Sequence, residues 1–184
     1  MSTAEVSLVA GSPSIGSGTA NGVGSNALFN SPYSVSISSD GSYCLVADLN
    51  NYQIRKIIIS TATVSLLAGG GSSGSSNGIG SNAKFYITYS VSISPDQSYC
   101  LVADHANNQI RKIIITTQDV TTLAGSPSTT AGSSNGIGSN VLFNYPSGVS
   151  ISPDSSYALI TDYYNHLIRK IIITTAQVSL FAGG

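Results

Sequence analysis

A repeat of 56 to 58 residues runs through this 184-residue chain and constrains its fold more than any other feature. Asp48, Asp104 and Asp162 recur at intervals of 56 and 58 residues, and an arginine follows each aspartate at the same distance. Periods of this length are typical of arrays in which each repeat is one supersecondary unit that stacks on its neighbours to bury a core. The fold therefore follows from the structure of a single repeat.

Each repeat predicts four short strands joined by tight turns. In the first repeat, residues 34–38 alternate polar and apolar, residues 43–47 form a second apolar segment, residues 53–59 are rich in isoleucine, and residues 64–68 form the last segment. No segment has the helical period of about 3.6 residues. Four such strands predict an antiparallel meander, and one sheet of this size buries too little apolar surface to be stable alone.

Radial stacking of similar sheets solves this problem and produces a β-propeller. We therefore predict an all-β fold, a β-propeller built from four-stranded antiparallel blades with three blades per chain. A β-trefoil also has three four-stranded repeats, usually shorter ones, and stays open as the alternative. Residues 1–184 are predicted to form one array with repeat cores at about 30–69, 86–125 and 144–183, and an extra N-terminal outer strand at 6–11.

The residues around the repeated aspartates carry a resemblance to a known family. The pattern V-A-D-x-x-N-x-x-I-R-K-I occurs in full at residues 46–57 and 102–113, and with two substitutions at 160–171. This pattern resembles the NHL repeat, and the resemblance covers nearly the whole chain. It implies a propeller, commonly six-bladed, that binds protein, RNA or glycan ligands, although some relatives are lyases that depend on metal-binding histidines.

Three repeats provide half of a six-bladed ring. An arc of three blades would expose two hydrophobic blade faces, one at each end. Two chains related by a two-fold axis would supply six blades and cover both faces. We therefore expect a homodimer in which a second copy of the chain closes the ring.

Composition bears on the other partners. The formal net charge is −1 and only 8% of the residues are charged, whereas nucleic-acid binding requires clustered cations. No apolar run approaches the roughly 20 residues of a membrane helix. We therefore expect no nucleic-acid partner, no membrane partner and no cofactor.

The two cysteines are predicted to be free thiols. Cys44 and Cys100 occupy matching positions in successive repeats, which places them too far apart for a disulfide.

The polar residues that recur in every repeat indicate architecture rather than ligand binding. Aspartate and asparagine at these positions are typical of Asx turns, and a ring of oxygen ligands for a cation is the functional alternative. An arginine inside an apolar strand requires a partner, so we expect each arginine to pair with an aspartate within a blade or across blades. The predicted structural residues are Asp48, Asp104, Asp162, Asn51, Asn107, Asn165, Arg55, Arg111 and Arg169.

The positions that differ between repeats form the predicted ligand site. Residues before each first strand and after each repeated aspartate diverge, and a meander places both at the same end of the blade. Ordinary loop drift would produce the same divergence and stays open as the alternative. The candidate ligand-binding residues are Asn30, Tyr86, Tyr89, His105, Asn144, Tyr145 and Tyr163.

We therefore expect a non-enzymatic interaction or scaffold module that binds a protein, peptide or glycan on its loop face. No catalytic residue is predicted, because the chain has neither a nucleophile elbow nor a carboxylate pair suited to acid–base work. No metal site is predicted, because His105 and His166 occupy non-equivalent repeat positions. The alternatives are a metal-dependent lyase or lactonase-type enzyme with a site in the central channel, and a purely structural self-assembling repeat fragment.

Overall fold

The computed structural model describes residues 4–14 and 16–184, in which each repeat forms one antiparallel sheet of five strands. The predicted all-β fold class is thereby confirmed. Blade 1 consists of β1 (Gly22–Val23), β2 (Pro32–Ile37), β3 (Tyr43–Asp48), β4 (Gln53–Ile58) and β5 (Thr63–Ala68). Blade 2 consists of β6 (Gly78–Ile79), β7 (Thr88–Ile93), β8 (Tyr99–Asp104), β9 (Gln109–Ile114) and β10 (Asp119–Ala124). Blade 3 consists of β11 (Gly136–Ile137), β12 (Pro146–Ile151), β13 (Tyr157–Asp162), β14 (Leu167–Ile172) and β15 (Gln177–Ala182).

The helical elements of the described chain are single turns of 3-10 helix at two positions of each repeat. One turn precedes the innermost strand and the other joins the second and third strands of the meander. They occupy Gly24–Asn26, Leu49–Asn51, Gly80–Asn82, His105–Asn107, Gly138–Asn140 and Tyr163–Asn165. None of the described helices has the length and hydropathy to cross a membrane.

The three sheets share one strand order. In blade 1 the order is β1-β5-β4-β3-β2, and the other two blades repeat it. The first meander strands β2, β7 and β12 lie next to one another, so they form the inner edge of the arc and the meander runs outward from there. This radial arrangement is that of propeller blades around a common axis. We call the end of the axis at which β2, β7 and β12 begin the channel mouth.

The prediction of four strands per blade is one strand short. In blade 1 the additional strand β1 pairs with the outer strand β5, Gly22 opposite Val64 and Val23 opposite Thr63. The segment that leads to β2 passes the outer edge of its own sheet, where backbone N–H and C=O groups need partners. Two residues are too few to carry an alternating apolar pattern, so the sequence does not indicate this strand.

The extra outer strand predicted at residues 6–11 is not formed in the described structure. Val6, Leu8 and Val9 are exposed and irregular, and Gly11 N–H donates to the Gly24 carbonyl. A strand of this type pairs with the third meander strand of its own blade, as β5 pairs with β4. None of the described residues forms a third meander strand beside residues 6–11, so the segment lacks a pairing edge.

The hydrophobic core lies between the blades. One cluster brings Leu45 of blade 1 together with Phe85 of blade 2, and a second brings Leu101 of blade 2 together with Phe143 of blade 3. Each blade interior therefore depends on the neighbouring blade for burial, as expected for a stacked array.

Cys44 and Cys100 are free and buried, which confirms the prediction of free thiols. Burial raises the pKa of both thiols, because the thiolate is poorly solvated there. A thiol with a raised pKa is a weak nucleophile at neutral pH, so both cysteines act as small core residues.

Candidate functional site

Each repeated arginine forms a buried ion pair with the aspartate of its own blade. The distances from Nη1 to Oδ2 are 2.9 Å for Arg55 and Asp48, 2.8 Å for Arg111 and Asp104, and 2.9 Å for Arg169 and Asp162. All six side chains are fully buried. The pairs lie within a blade, which resolves the choice that the sequence leaves between pairing within and across blades.

Further hydrogen bonds of the arginine Nη atoms and of the asparagine hold the segment that enters the blade. In blade 1 the Arg55 guanidinium donates to the carbonyls of Ala20 (3.0 Å) and Leu28 (3.0 Å) and to Asn21 Oδ1 (2.7 Å). Asn51 Nδ2 donates to Asp48 Oδ2 (2.8 Å) and to a backbone carbonyl of the same segment. Blades 2 and 3 repeat these contacts.

The carboxylate of each pair is fully engaged. Asp48 Oδ1 accepts the Asn30 N–H at 2.7 Å, while Oδ2 accepts from Arg55 and Asn51. A carboxylate surrounded by three donors in a buried site has no free oxygen directed at a cation. The arrangement favours the architectural interpretation of these repeated residues over a cation-binding ring.

A second set of residues forms a row of aromatic rings at the channel mouth. Successive ring centroids are 4.5 Å apart for Tyr33 and Tyr89, 4.2 Å for Tyr89 and His105, and 4.9 Å for His105 and Tyr145. The row continues from Tyr145 to Tyr164 at 5.1 Å and to Tyr163 at 4.9 Å. We call these six rings the aromatic row; they come from all three blades.

The aromatic row borders a cavity of about 390 Å³. The cavity lies where the innermost strands begin and where the turns after β8 and β13 approach the axis. Its lining residues are Tyr33, Tyr89, His105, Ser147, Gly148, Thr161, Tyr163 and Tyr164. A concave site with aromatic walls and a few polar groups is the usual form of a ligand site.

The structure brings four of the predicted ligand-binding residues together and leaves three outside the row. Tyr89, His105, Tyr145 and Tyr163 belong to the aromatic row, whereas Tyr86 is exposed and contacts Tyr52 instead, with ring centroids 6.0 Å apart. Asn30 and Asn144 are half-buried and donate their backbone N–H groups to Asp48 and Asp162. These three residues do not line the cavity.

Sequence reasoning missed Tyr33 and Tyr164 as site residues, and a signal for Tyr33 was present. Tyr33 occupies the repeat position of Tyr89, 56 residues earlier, so the choice of one by register implies the other. Tyr164 is adjacent to Tyr163 in the same 3-10 turn. Gly148 and Thr161 were also missed, because they are small and sit inside predicted strands. Ser147 directly precedes the predicted first strand of its repeat and was missed because it is small.

Blade 3 differs from the other blades at one cross-strand pair that lines the cavity. Ser34 faces Ala47 in blade 1 and Ser90 faces Ala103 in blade 2, whereas Gly148 faces Thr161 in blade 3. The larger side chain has moved from the innermost strand to the second strand. A Cβ on Gly148 would lie 2.7 Å from Thr161 Oγ1, so the two changes accommodate each other. The Thr161 hydroxyl also forms a hydrogen bond of 2.9 Å with the Ser147 hydroxyl.

His105 is held in a defined orientation within the row. Its Nδ1 lies 3.1 Å from the Pro146 carbonyl oxygen, which can only accept, so Nδ1 carries a proton and donates. Burial lowers the pKa of His105, because the imidazolium is poorly solvated between the rings. The neutral ring then has Nε2 as an acceptor, and the cavity carries no formal charge at neutral pH.

Comparisons with known proteins agree with the repeat analysis. No family model matches the chain. NHL repeat-containing protein 2 of Bos taurus is 31% identical over 165 residues, which cover 83% of this chain and 22% of that protein. The Homo sapiens protein of the same description is 29% identical over 161 residues, with the same coverage. The chain therefore spans about a fifth of the length of the curated relatives it matches.

Solved structures with the same fold include two auxiliary nutrient binding proteins from Bacteroides species. The one from Bacteroides ovatus superimposes with a TM-score of 0.69 at 18% identity, covering 87% of this chain and 40% of the other. The one from Bacteroides thetaiotaomicron has a TM-score of 0.66 at 21% identity, covering 79% of this chain and 36% of the other. At such identities these likenesses concern the fold alone.

Proposed function

Because this chain is composed of three NHL-type repeats of the β-propeller class, we propose that it is a non-enzymatic interaction module that binds its ligand at the channel mouth. The observation that supports this most is the aromatic row with its cavity of about 390 Å³. The core of each blade interface is built from other residues, and no tyrosine of the row belongs to a core cluster. Exposed aromatic surface beside a cavity is typical of binding sites.

Of the protein, peptide and glycan ligands that suit a propeller face, the lining supports an uncharged glycan best. None of the described residues that line the cavity carries a formal charge while His105 is neutral. Tyrosine offers a flat apolar ring for the C–H face of a sugar and a hydroxyl for its oxygens. Ser147 and Thr161 add a pair of hydroxyl groups to the lining.

A binding screen with three protein forms tests the proposed site. Tyr33→Ala/Tyr164→Ala removes one lining ring of blade 1 and one of blade 3, and Tyr86→Ala is the matched control because Tyr86 is an exposed tyrosine outside the row. Neutral glycans and uncharged peptides are screened against all three. We expect a glycan that binds wild type to bind the double variant about 10- to 100-fold more weakly, since each ring contact is worth roughly 1 kcal/mol.

The control should bind within a factor of about two of wild type. Glycan binding that is equally strong in the double variant would place the site elsewhere. Binding of peptides alone would replace the glycan with a peptide ligand at the same site.

The absence of catalysis is part of this proposal. The alternative, a metal-dependent lyase or lactonase-type enzyme, requires a convergent set of metal ligands. Among residues 4–14 and 16–184, no group of three or more His, Cys, Asp or Glu side chains could hold a metal ion. Stoichiometric zinc, copper or calcium in the purified protein would favour the enzyme. A purely structural self-assembling role would be favoured if the assembled protein bound nothing in the screen.

A further inference from the structure

The junction between blades 2 and 3 carries polar contacts that the junction between blades 1 and 2 lacks. His105 Nδ1 donates to the Pro146 carbonyl at 3.1 Å, and Asn108 Oδ1 accepts the Tyr145 N–H at 2.8 Å. Two side chains of blade 2 thus hold two successive residues of blade 3. Both junctions are internal to the described chain, so this difference does not depend on what precedes blade 1 or follows blade 3.

The stacking of two blades does not require these contacts. The repeat places Leu49 and Tyr52 in blade 1 where blade 2 has His105 and Asn108. Leu49 has no donor for a carbonyl group, and the Tyr52 ring contacts Tyr86 instead. Blades 1 and 2 nevertheless bury a continuous core. The bond of His105 is therefore additional to the packing between blades, and the cavity that His105 lines gives it a role.

The orientation of the His105 ring leaves one nitrogen for a ligand. Nδ1 carries the proton and faces Pro146, which does not line the cavity, so the acceptor Nε2 is the nitrogen that remains. None of the described residues donates a hydrogen bond to Nε2. The half-buried ring is held in place, since its centroid lies 4.2 Å from that of Tyr89 and 4.9 Å from that of Tyr145. An acceptor that has lost part of its water without gaining a partner favours a ligand that donates.

We propose that His105 accepts a hydrogen bond from a hydroxyl group of the ligand through Nε2, and that acidification releases the ligand. This inference rests on the proposed function, because it assumes a glycan in the same cavity. A second proton on the ring turns Nε2 into a donor and places a positive charge in a cavity whose described lining has none. A bound glycan also removes the water that solvates such a charge, so binding favours the neutral ring.

The groups around His105 supply no negative charge that would hold a second proton on the ring. The titratable side chains that contact the ring or share its cavity are the tyrosines of the aromatic row, and a phenol is uncharged at and below neutral pH. Burial lowers the pKa of His105, and the carbonyls of Pro146 and Tyr145 oppose this shift without reversing it. The neutral acceptor is therefore the form that meets a ligand at neutral pH.

Asp104 is the charged residue that adjoins His105 in the chain. Its carboxylate accepts hydrogen bonds from Arg111, from Asn107 and from the Tyr86 N–H. Burial raises the pKa of Asp104 to about 6, so this carboxylate titrates in the same pH range. A change of binding with pH is therefore assigned to His105 by comparison with a variant that lacks the imidazole and keeps Asp104.

Glycan binding measured against pH tests the proposal. The probes are neutral glycans, from the methyl glycosides of glucose, galactose and mannose to their linear trisaccharides. Between about pH 7.5 and pH 5, the Kd of wild type should rise about tenfold for each pH unit below the pKa of folded His105, because only the neutral fraction binds. His105→Asn should bind about tenfold more weakly than wild type at neutral pH and lack this dependence.

The matched control is His166→Asn, which removes the other histidine of the chain. His166 does not line the cavity, and its φ of 59° is a conformation that asparagine tolerates. The control should keep both the affinity and the pH profile of wild type. Circular dichroism at each pH verifies that all three proteins are folded.

Nitrogen-15 NMR of the imidazole rings adds a readout without a ligand. Neutral His105 should carry its proton on Nδ1, and a proton on Nε2 instead would overturn the inference because no acceptor would face the ligand. Glycan binding with the same pH profile in wild type and His105→Asn would also overturn it, while the proposed function would stand. If wild type bound none of the glycans at neutral pH, the proposed function and this inference would both be overturned.

Discussion

The repeated aspartates and the residues that immediately follow them obey opposite rules. Asp48, Asp104 and Asp162 contact their arginines at distances that differ by no more than 0.1 Å between blades. The next residue is Leu49 in blade 1, His105 in blade 2 and Tyr163 in blade 3. A position that is identical in all three blades is therefore followed directly by one that differs in all three.

The difference follows from what each group contacts. An ion pair holds the entering segment of its own blade, so each blade needs the same contacts. In blades 2 and 3 the residue after the aspartate, His105 or Tyr163, lines the cavity at the channel mouth, whereas Leu49 of blade 1 does not. Every blade therefore keeps its ion pair, while the cavity is lined by identical residues at one repeat position, Tyr33 and Tyr89, and by different ones at another, His105 and Tyr163.

The largest expected effect comes from breaking the repeated part. Arg111→Ala leaves Asp104 buried beside Asn107 without its cation, and we expect the free energy of unfolding to fall by about 3–5 kcal/mol. Chemical denaturation measures this change. Lys112→Ala is the matched control, because Lys112 is the next residue and its Nζ lies over the Tyr99 ring at the edge of the blade. The control should lose no more than about 1 kcal/mol. Equal effects of the two substitutions would contradict a structural role specific to Arg111.

A smaller effect tests whether blade 3 exchanged its cross-strand pair as a unit. Gly148→Ser should be destabilised by about 1–2 kcal/mol, because a side chain at this position meets Thr161 Oγ1. Gly148→Ser/Thr161→Ala restores the serine and alanine pair of blades 1 and 2. We expect the double variant to recover most of the loss, with a coupling energy of about 1 kcal/mol in a double-mutant cycle of unfolding free energies. Additive losses would mean that the two positions vary independently.

The smallest expected effect concerns the titration of His105, one of the residues that differ between blades. Folding lowers the pKa of His105, so the folded protein binds this proton less readily than the unfolded chain. His105 should therefore not reduce the free energy of unfolding above about pH 6.5, which is the ordinary pKa of a histidine in an unfolded chain. Stability should decline as the pH falls from there through the lowered pKa of the folded state. His105→Asn keeps a donor for the Pro146 carbonyl and removes the titration. The variant should lose less stability than wild type between about pH 8 and pH 5. An identical decline in both proteins would assign it to other groups.

Sequence reasoning predicts most of the scaffold because the scaffold is periodic. Strand positions and ion-pair partners occur three times, so each copy supports the assignment of the others. The two-residue strand β1 is not predicted, because its pairing depends on where the entering segment passes the outer edge of its own sheet. The expected strand at residues 6–11 has the right pattern but no edge to pair with, and pattern alone does not report the edge.

The site is less accessible to prediction because it has no internal copy. Divergence selected four members of the aromatic row. It did not separate Tyr89, whose ring packs between Tyr33 and His105, from Tyr86, three residues earlier, whose ring contacts Tyr52. That separation depends on side-chain directions set by the backbone, which sequence spacing does not contain.

The arginine network also determines the order in which buried contacts can form while the chain is being synthesised. Arg55 binds the carbonyl of Ala20, which lies 35 residues before it in the chain, and each later blade repeats this span. As the chain leaves the ribosome, an entering segment has no buried partner until the third meander strand of its own repeat has followed it. Every repeat then satisfies its own buried charge without waiting for the next. The protein emerges as successive units that each complete their buried ion pair alone and need a neighbour for their apolar surface and for the hydrogen bonds between blades.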